Sequence, residues 1–124
     1  MENLYIETTK YTPEIKLDLN GSISIIGKSY PENTFDFYEP IMKWLEDYLN
    51  LKNSETLTID LEIIYFNSSS SKLFFDFFDL LEESNWNNEI KINWIFDIEN
   101  ESAQEVGEDF IEDFPNLDIQ LIVK

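Results

Sequence analysis

From residue 55 onward, the sequence alternates between apolar runs of strand type and longer segments whose apolar residues recur at helical spacing. The run at 55–66 (ETLTIDLEIIYF) is β-branched and becomes aromatic toward its end, as is typical of a buried central strand. Strand-type runs at 89–96 and 117–123 follow, each after a helical stripe. This alternation predicts an α/β fold with a mixed, largely parallel sheet and covering helices.

The first part of the chain predicts an N-terminal hairpin. Apolar and polar residues alternate at 4–7 and 14–19 and return at 22–28. Between the last two runs, Asn20-Gly21 suits a tight turn in which both central residues take positive φ. With about three helices, the expected order is β-β-β-α-β-α-β-α-β, and residues 1–124 form a single domain.

The first predicted helix contains a proline. Its stripe covers 34–50, but Pro40 cannot lie deep inside a helix without kinking it. We therefore expect the regular part to begin close to Pro40, with Asp36 and Glu39 as a capping box. In the last helix, Gly107 costs about 1 kcal/mol relative to Ala, and close packing against the sheet would explain it.

The side-chain inventory excludes most catalytic and metal chemistry. The chain has no Cys and no His, and all eight basic residues are Lys. Thiol nucleophiles, Cys-ligated metals and the usual general base are therefore missing, and no guanidinium can clamp a phosphate. We expect a protein that is not an enzyme and has no cofactor and no metal.

The net charge of −18 limits the partners. Such a surface repels a nucleic-acid backbone or an anionic membrane and suits a partner with a basic face. The N-terminus lacks a signal-peptide pattern, and no stretch approaches the roughly 18 apolar residues of a membrane span. We therefore expect a cytoplasmic protein without nucleic-acid or membrane partners.

Four consecutive serines, residues 68–71, lie between the central strand and the second helix. One interpretation is structural, because a serine hydroxyl at a helix N-cap accepts a bond from an unpaired amide. The other is functional, because the same helix end favours an added phosphate. On this second hypothesis Lys72, four residues after Ser68, leans toward the phosphate. The residues alone leave both interpretations open.

The chain resembles two families. The order of elements, with a hydroxyl cluster before the second helix, looks like the STAS domain of anti-sigma-factor antagonists. Five blocks in order resemble the SiaC-type regulatory phosphoproteins more closely. These blocks are T-x-x-T-P-x-I at 9–15, G-x-S-Y-P-E-N at 27–33, F-Y-E-P-I at 37–41, Y-F-N-S-S-S-S-K at 65–72 and G-E-D-F at 107–110.

The SiaC resemblance implies a non-enzymatic switch. In that family, a dedicated serine/threonine kinase phosphorylates the hydroxyl residue directly after Asn in the Y-[FL]-N-[TS]-S-S motif, and a PP2C-like phosphatase removes the phosphate. The unphosphorylated form binds and activates a diguanylate cyclase, which affects biofilm formation. The matching position here is Ser68, a serine where Thr is commoner, and Ser69 is a rival acceptor. The alternative is a free-standing anti-sigma-factor antagonist that binds an anti-sigma-factor kinase.

A second segment is a candidate partner surface. The loop Tyr30, Pro31, Glu32 and Asn33 suits a strand-to-helix turn. If the sheet is arranged as the resemblance implies, this loop lies near Ser68 and contributes to recognition. The predicted partner-binding residues are Tyr30, Pro31, Glu32, Asn33, Asn67, Ser69, Ser70 and Lys72.

Residues 97–113 contain eight acids and no lysine. A Ca²⁺ or Mg²⁺ site is one interpretation, but the spacing does not follow an EF-hand loop. A solvated helix face is favoured. A carboxylate-based hydrolase using acids around 97–101 is the third functional hypothesis, and it would need two acids of divergent pKa in one cleft.

Overall fold

The computed structural model describes residues 1–51, 55–84, 86 and 89–124. Within them, one sheet contains the strands β1 (Leu4–Ile6), β2 (Glu14–Asp18), β3 (Ser22–Ser29), β4 (Leu57–Phe66), β5 (Ile90–Phe96) and β6 (Asp118–Val123). The helices are α1 (Thr34–Leu49), α2 (Ser68–Glu83) and α3 (Glu101–Asp113). The predicted order of elements is confirmed, and element ends differ from the predicted ones by a few residues.

The strands lie in the sheet in sequence order, from β1 to β6. β1, β2 and β3 are antiparallel neighbours, and β3 to β6 are parallel. One helix connects each pair of neighbouring parallel strands. Because the strands follow one another across the sheet in chain order and such connections are right-handed, all three helices lie on the same face of the sheet. The predicted mixed, largely parallel sheet with an N-terminal hairpin is therefore confirmed.

Burial alternates along the strands, which shows which face is covered. In β4, Leu57, Ile59, Leu61 and Ile63 are buried, while the residues between them are only partly buried. The buried face packs against the apolar stripes of the helices, so the core lies between one sheet and one helix layer. In the described part of the chain, no helix is long and apolar enough to span a bilayer.

Gly107 packs directly against the sheet, as predicted. A Cβ atom added there would lie 2.5 Å from Trp94 Cδ1 and 2.6 Å from Leu121 Cδ2. Both distances are far below van der Waals contact, so no larger residue fits without movement of α3. The helix accepts glycine at this position because close contact with β5 and β6 requires it.

The prediction for the start of α1 was wrong. The helix begins at Thr34, six residues before Pro40, and the side chain of Asn33 accepts a hydrogen bond from the Asp36 N–H at 3.1 Å. The cap is therefore Asn33 and not an Asp36–Glu39 box. Buried Tyr38 packs the first turns onto the core, and this offsets the hydrogen bond that Pro40 cannot donate.

The prediction for the hairpin turn was also wrong in detail. Asp18 pairs with Ser22, so the loop has three residues, and the Gly21 N–H donates to the Asp18 carbonyl at 3.1 Å. Gly21 has φ of +95°, but Asn20 does not have positive φ. Three-residue hairpin loops need only one left-handed residue, and glycine supplies it without strain.

A bulge distorts β3 and β4 shortly before they end. Gly27 pairs with Ile63, but Lys28 pairs with Tyr65, so Ile64 is the extra residue on β4. Gly27 has φ of +135°, a conformation that other residues rarely adopt. Bulges re-aim the residues that follow them, and here those residues form the candidate site.

Candidate phosphoacceptor site

The candidate site lies where two neighbouring parallel strands end. Ser29 of β3 is opposite Phe66 of β4, and the Asn67 N–H donates to the Ser29 carbonyl oxygen at 3.1 Å. The loop at residues 30–33 is thereby held beside the start of α2. The structure brings together the two segments that the sequence singled out, at the sheet edge where open α/β folds carry functional residues.

Asn67 caps α2, and none of the serines does. Its side-chain oxygen accepts from the Ser70 N–H at 2.9 Å, and its carbonyl oxygen accepts from the Ser71 N–H at 3.0 Å. The interpretation that a serine hydroxyl caps the helix is therefore wrong. Ser68 and Ser69 occupy the first two helical positions, so their N–H groups have no intrahelical acceptor.

The four serines differ in exposure. Ser68 and Ser69 are exposed, Ser71 is half-buried and Ser70 is fully buried. Because a kinase must reach the hydroxyl it modifies, Ser68 and Ser69 are the accessible acceptors at this junction. Lys72 is also exposed, and it lies one helical turn after Ser68 on the same side of α2.

A chain of buried hydroxyls supports the site from below. Ser29 Oγ donates to Ser70 Oγ at 2.9 Å and is also hydrogen-bonded to the hydroxyl of Tyr38. All three side chains are buried. Burial raises the pKa of Tyr38 to about 12, although the hydrogen bond with Ser29 acts in the opposite direction. These neutral groups tie together the end of β3, the start of α2 and the first turns of α1.

Two of the predicted partner-binding residues do not reach the surface. Ser70 has no exposed area, because it is packed against Ser29, and Pro31 is also buried. Neither side chain can contact a partner directly in this structure. Both hold the surface residues of the site in place, whereas Glu32 and Asn33 are exposed.

Three tyrosines form a row along the same edge. The rings of Tyr11 and Tyr30 are 5.3 Å apart between centroids, and those of Tyr30 and Tyr65 are 5.6 Å apart, both edge to face. Tyr11 and Tyr65 are 51% and 56% exposed. Tyr11 and Tyr65 are not among the predicted partner-binding residues, because they are far apart in sequence and only the fold brings them together. Both belong to the blocks at 9–15 and 65–72 that resemble the SiaC-type proteins, and this was the sequence signal that could have assigned them to the site.

Lysines without a carboxylate partner gather at this edge. In the described part of the chain, the four ion pairs use Lys16, Lys43, Lys91 and Lys124. The three other described lysines are Lys10, Lys28 and Lys72. The Nζ of Lys10 is 5.7 Å from the centroid of the Tyr11 ring, and Lys28 lies near the end of β3. Among the described residues, the lysines without a carboxylate partner therefore lie on the segments that end β3, begin α2 or contact the tyrosine row.

Comparison with known proteins identifies the family. A sequence profile described as "SiaC family regulatory phosphoprotein" matches residues 6–124. The chain belongs to the SiaC family. An uncharacterised protein of Pseudomonas aeruginosa strain UCBPP-PA14 is 36% identical over 115 residues, which cover 91% of this chain and 90% of that protein.

Two solved structures of SiaC-family proteins share the whole fold. Apo-SiaC from Pseudomonas aeruginosa is 30% identical with a TM-score of 0.86, covering 99% of this chain and 100% of that one. The other structure contains the Pseudomonas aeruginosa diguanylate cyclase SiaD in complex with its activator SiaC. That match is 33% identical with a TM-score of 0.89, covering 98% and 99% of the two chains. In this family, SiaC is thus a regulatory phosphoprotein that activates a cyclase.

The acidic run of this SiaC-family chain has local structural roles. Asp97 accepts a hydrogen bond from the Glu99 N–H at 2.9 Å, and Asn100 caps α3 by accepting from the Ala103 N–H at 3.1 Å. Asp97, Glu99 and Glu101 are exposed. Among the residues that the structure describes, no three acids are grouped so that they could hold a metal ion. The interpretation as a solvated acidic face fits this arrangement.

Proposed function

We propose that this protein is a non-enzymatic partner switch controlled by phosphorylation of Ser68. The unphosphorylated form binds and activates a diguanylate cyclase in the cytoplasm. A dedicated serine/threonine kinase phosphorylates Ser68 and blocks this interaction, and a PP2C-like phosphatase restores it. The observation that carries the proposal is an exposed hydroxyl at the first position of a helix that Asn67 already caps, in a chain of the SiaC family.

A phosphate on Ser68 is compatible with the folded protein. It would bring about −1.5 to −2 charges to a helix N-terminus, where the macrodipole and the free N–H groups favour an anion. α1 and α3 have an acidic residue in the first turn, but α2 has none. Phosphorylation therefore adds an anion that this helix lacks, and we expect α2 to remain folded.

The same phosphate changes what this edge attracts. Before phosphorylation, Lys10, Lys28 and Lys72 are free to meet acidic groups of a partner. Phosphate on Ser68 places negative charge and bulk among them, so an acidic contact of the cyclase is repelled. The switch needs no large conformational change, because a change of charge and bulk at one edge is enough.

Phosphorylation of serine variants tests the acceptor. After incubation with the cognate kinase and ATP, mass spectrometry should find one phosphate on the wild type and on Ser69→Ala, and none on Ser68→Ala. Ser69→Ala is the matched control because both hydroxyls are exposed on the first turn of α2. Phosphate that persists in Ser68→Ala and disappears in Ser69→Ala would move the assignment to Ser69.

A cyclase assay tests the output. Unmodified wild type and Ser68→Ala should both bind the cyclase and raise its production of cyclic di-GMP. The kinase should reverse activation by the wild type and leave activation by Ser68→Ala unchanged. Equal activation by the phosphorylated and unphosphorylated wild type would contradict the proposed switch.

A further inference from the structure

A surface groove runs between the first two helices. This α1–α2 groove has a volume of about 360 Å³ and is lined by Phe35, Tyr38, Glu39, Met42, Lys43, Glu46, Leu73 and Asp76. The six lining residues of α1 recur every three or four positions, so they form one face of that helix. From Phe35 to Glu46 this face extends about 17 Å, which is roughly three helical turns.

The floor of the α1–α2 groove is apolar and incompletely covered. Met42 and Leu73 are half-buried over buried Tyr38. At one end, Phe35 is 67% exposed, more than any other large hydrophobic side chain in the described part of the chain. An exposed aromatic side chain beside an apolar floor is typical of the anchor residues of protein interfaces.

The rim of the α1–α2 groove is acidic. Glu39, Glu46 and Asp76 line it, and the one lysine of the rim, Lys43, is held by Asp47 at 3.1 Å. A rim of this charge favours an occupant with basic flanks. It disfavours a second copy of this chain, because each copy has a net charge of −18.

The groove opens at the edge that carries the phosphoacceptor. α1 and α2 both begin where parallel strands end, so Phe35 and the serines lie at the same end of the helix layer. Ser69, Leu73 and Asp76 follow i, i+4, i+7 spacing and share one side of α2. An occupant of the groove that reaches Phe35 therefore ends beside the first turn of α2, which carries Ser68 and Ser69.

We propose that the α1–α2 groove is the docking site for an amphipathic helix of the diguanylate cyclase. This helix would have an apolar stripe about three turns long, flanked by lysine or arginine. The identity of the occupant rests on the proposed function. Phe35 inserts into the apolar stripe, Glu39 and Asp76 pair with the basic flanks, and the end of the helix reaches the Ser68 edge. Phosphate at that edge then acts on the docked helix directly.

Binding to the full-length cyclase tests the groove. The affinity of unphosphorylated variants is measured by isothermal titration calorimetry, together with cyclic di-GMP production. Phe35→Ala should weaken binding at least tenfold, and Glu39→Lys should weaken it severalfold. The matched controls are Tyr5→Ala, because Tyr5 is 61% exposed on another part of the surface, and Glu105→Lys on the exposed side of α3. Both controls should bind as the wild type does, and circular dichroism melting should show that all four variants fold.

The outcomes separate the groove from the switch. If wild type, Phe35→Ala and Glu39→Lys bind the cyclase equally, the groove is not the docking site and the proposed function stands. If the wild type does not bind the cyclase, both proposals fail. If Phe35→Ala turns a dimer of this protein into a monomer in analytical ultracentrifugation, the occupant is a second copy and the cyclase assignment is overturned. Restored binding of Glu39→Lys by a lysine-to-glutamate change in the cyclase helix would support the pairing.

Discussion

At the scale of single residues, identical side chains in one run have different roles because their surroundings differ. Ser68 and Ser69 face solvent, whereas Ser70 is hydrogen-bonded to Ser29, which lies 41 positions earlier in the chain. The sequence of four serines does not show which of them are exposed and which are buried. This difference arises from the pairing of β3 with β4, which places Ser29 beneath the start of α2.

The buried hydroxyl chain predicts how stability depends on pH. The folded-state pKa of Tyr38 is about 12, and the ordinary value is 10.0. Because the folded-state pKa is raised, the folded state holds the Tyr38 proton more tightly than the unfolded state does. The contribution of this difference to the free energy of unfolding is complete below pH 10 and is lost as the pH rises toward 12. The expected loss in the free energy of unfolding is about 3 kcal/mol.

Urea unfolding at pH 8 and at pH 11.5 measures about 2 kcal/mol of this loss, because Tyr38 of the folded state is still mostly protonated at pH 11.5. The comparison is Tyr38→Phe, which removes this hydroxyl and keeps the ring. The variant should be less stable than the wild type at pH 8 by about 1 kcal/mol, because Ser29 loses a partner. Its stability should fall less than that of the wild type at high pH. Parallel pH profiles of the two proteins would show that Tyr38 is not responsible.

At the scale of elements, each helix begins with an asparagine cap. Asn33, Asn67 and Asn100 each accept a hydrogen bond from the backbone N–H three residues later. Sequence patterns alone predicted a different cap for α1 and gave a serine cap as one of two interpretations for α2. Several residues near each start suit capping, and the selection depends on where tertiary packing fixes the first turn.

The cap of α2 predicts an effect on both stability and phosphorylation. Asn67→Ala should lower the free energy of unfolding by about 1 kcal/mol, because the Ser70 N–H loses its acceptor. It should also slow phosphorylation of Ser68, since the first turn becomes less ordered. Asn67→Asp keeps an acceptor oxygen and serves as the control for stability, and Asn100→Ala, at the cap of α3, is the control for phosphorylation. These are measured by urea unfolding and by the rate of phosphate incorporation.

If Asn100→Ala slows phosphorylation as much as Asn67→Ala does, the effect is a general loss of stability. A specific effect of Asn67 is indicated when the two variants have similar stability and only Asn67→Ala is phosphorylated slowly. The comparison is matched because both residues cap a helix by accepting from the N–H three residues later, and Asn100 is not among the predicted partner-binding residues.

At the scale of the whole molecule, charge and fold act separately. The core between one sheet face and three helices is apolar, so the 26 acids and eight lysines lie mainly at the surface. The ion pairs of the described residues join exposed lysines to acids and contribute little individually. The excess negative charge therefore repels itself in the folded state and opposes compactness.

This self-repulsion predicts that salt stabilises the protein. Raising NaCl from about 10 mM to about 0.5 M should raise the melting temperature by roughly 4 °C, which corresponds to about 1 kcal/mol, because the Debye length falls well below the spacing of surface charges. Differential scanning calorimetry measures this shift. A triple variant of the exposed acids of α3, Glu105→Lys, Glu108→Lys and Asp109→Lys, should melt higher at low salt and respond less to added salt. An equal salt response in both proteins would contradict the explanation.

The sequence alone determined the order and type of the elements, the parallel arrangement and the position of the candidate site. Strand and helix periodicities are local properties, and alternation of the two permits few folds. The quoted blocks also identified the family. The interpretations that were wrong concerned the start of α1, the conformation of Asn20 and the cap of α2. At each of these places, several backbone conformations or capping residues are close in energy.

Only the tertiary structure decided which residues of the candidate site face solvent. Burial of Ser70 and Pro31, the tyrosine row and the groove beside Phe35 all depend on segments that are far apart in sequence. A side chain is buried or exposed according to what packs over it, and that is fixed by strand pairing and helix packing. The chain's local pattern therefore specifies the frame, and the contacts between distant segments specify its functional surface.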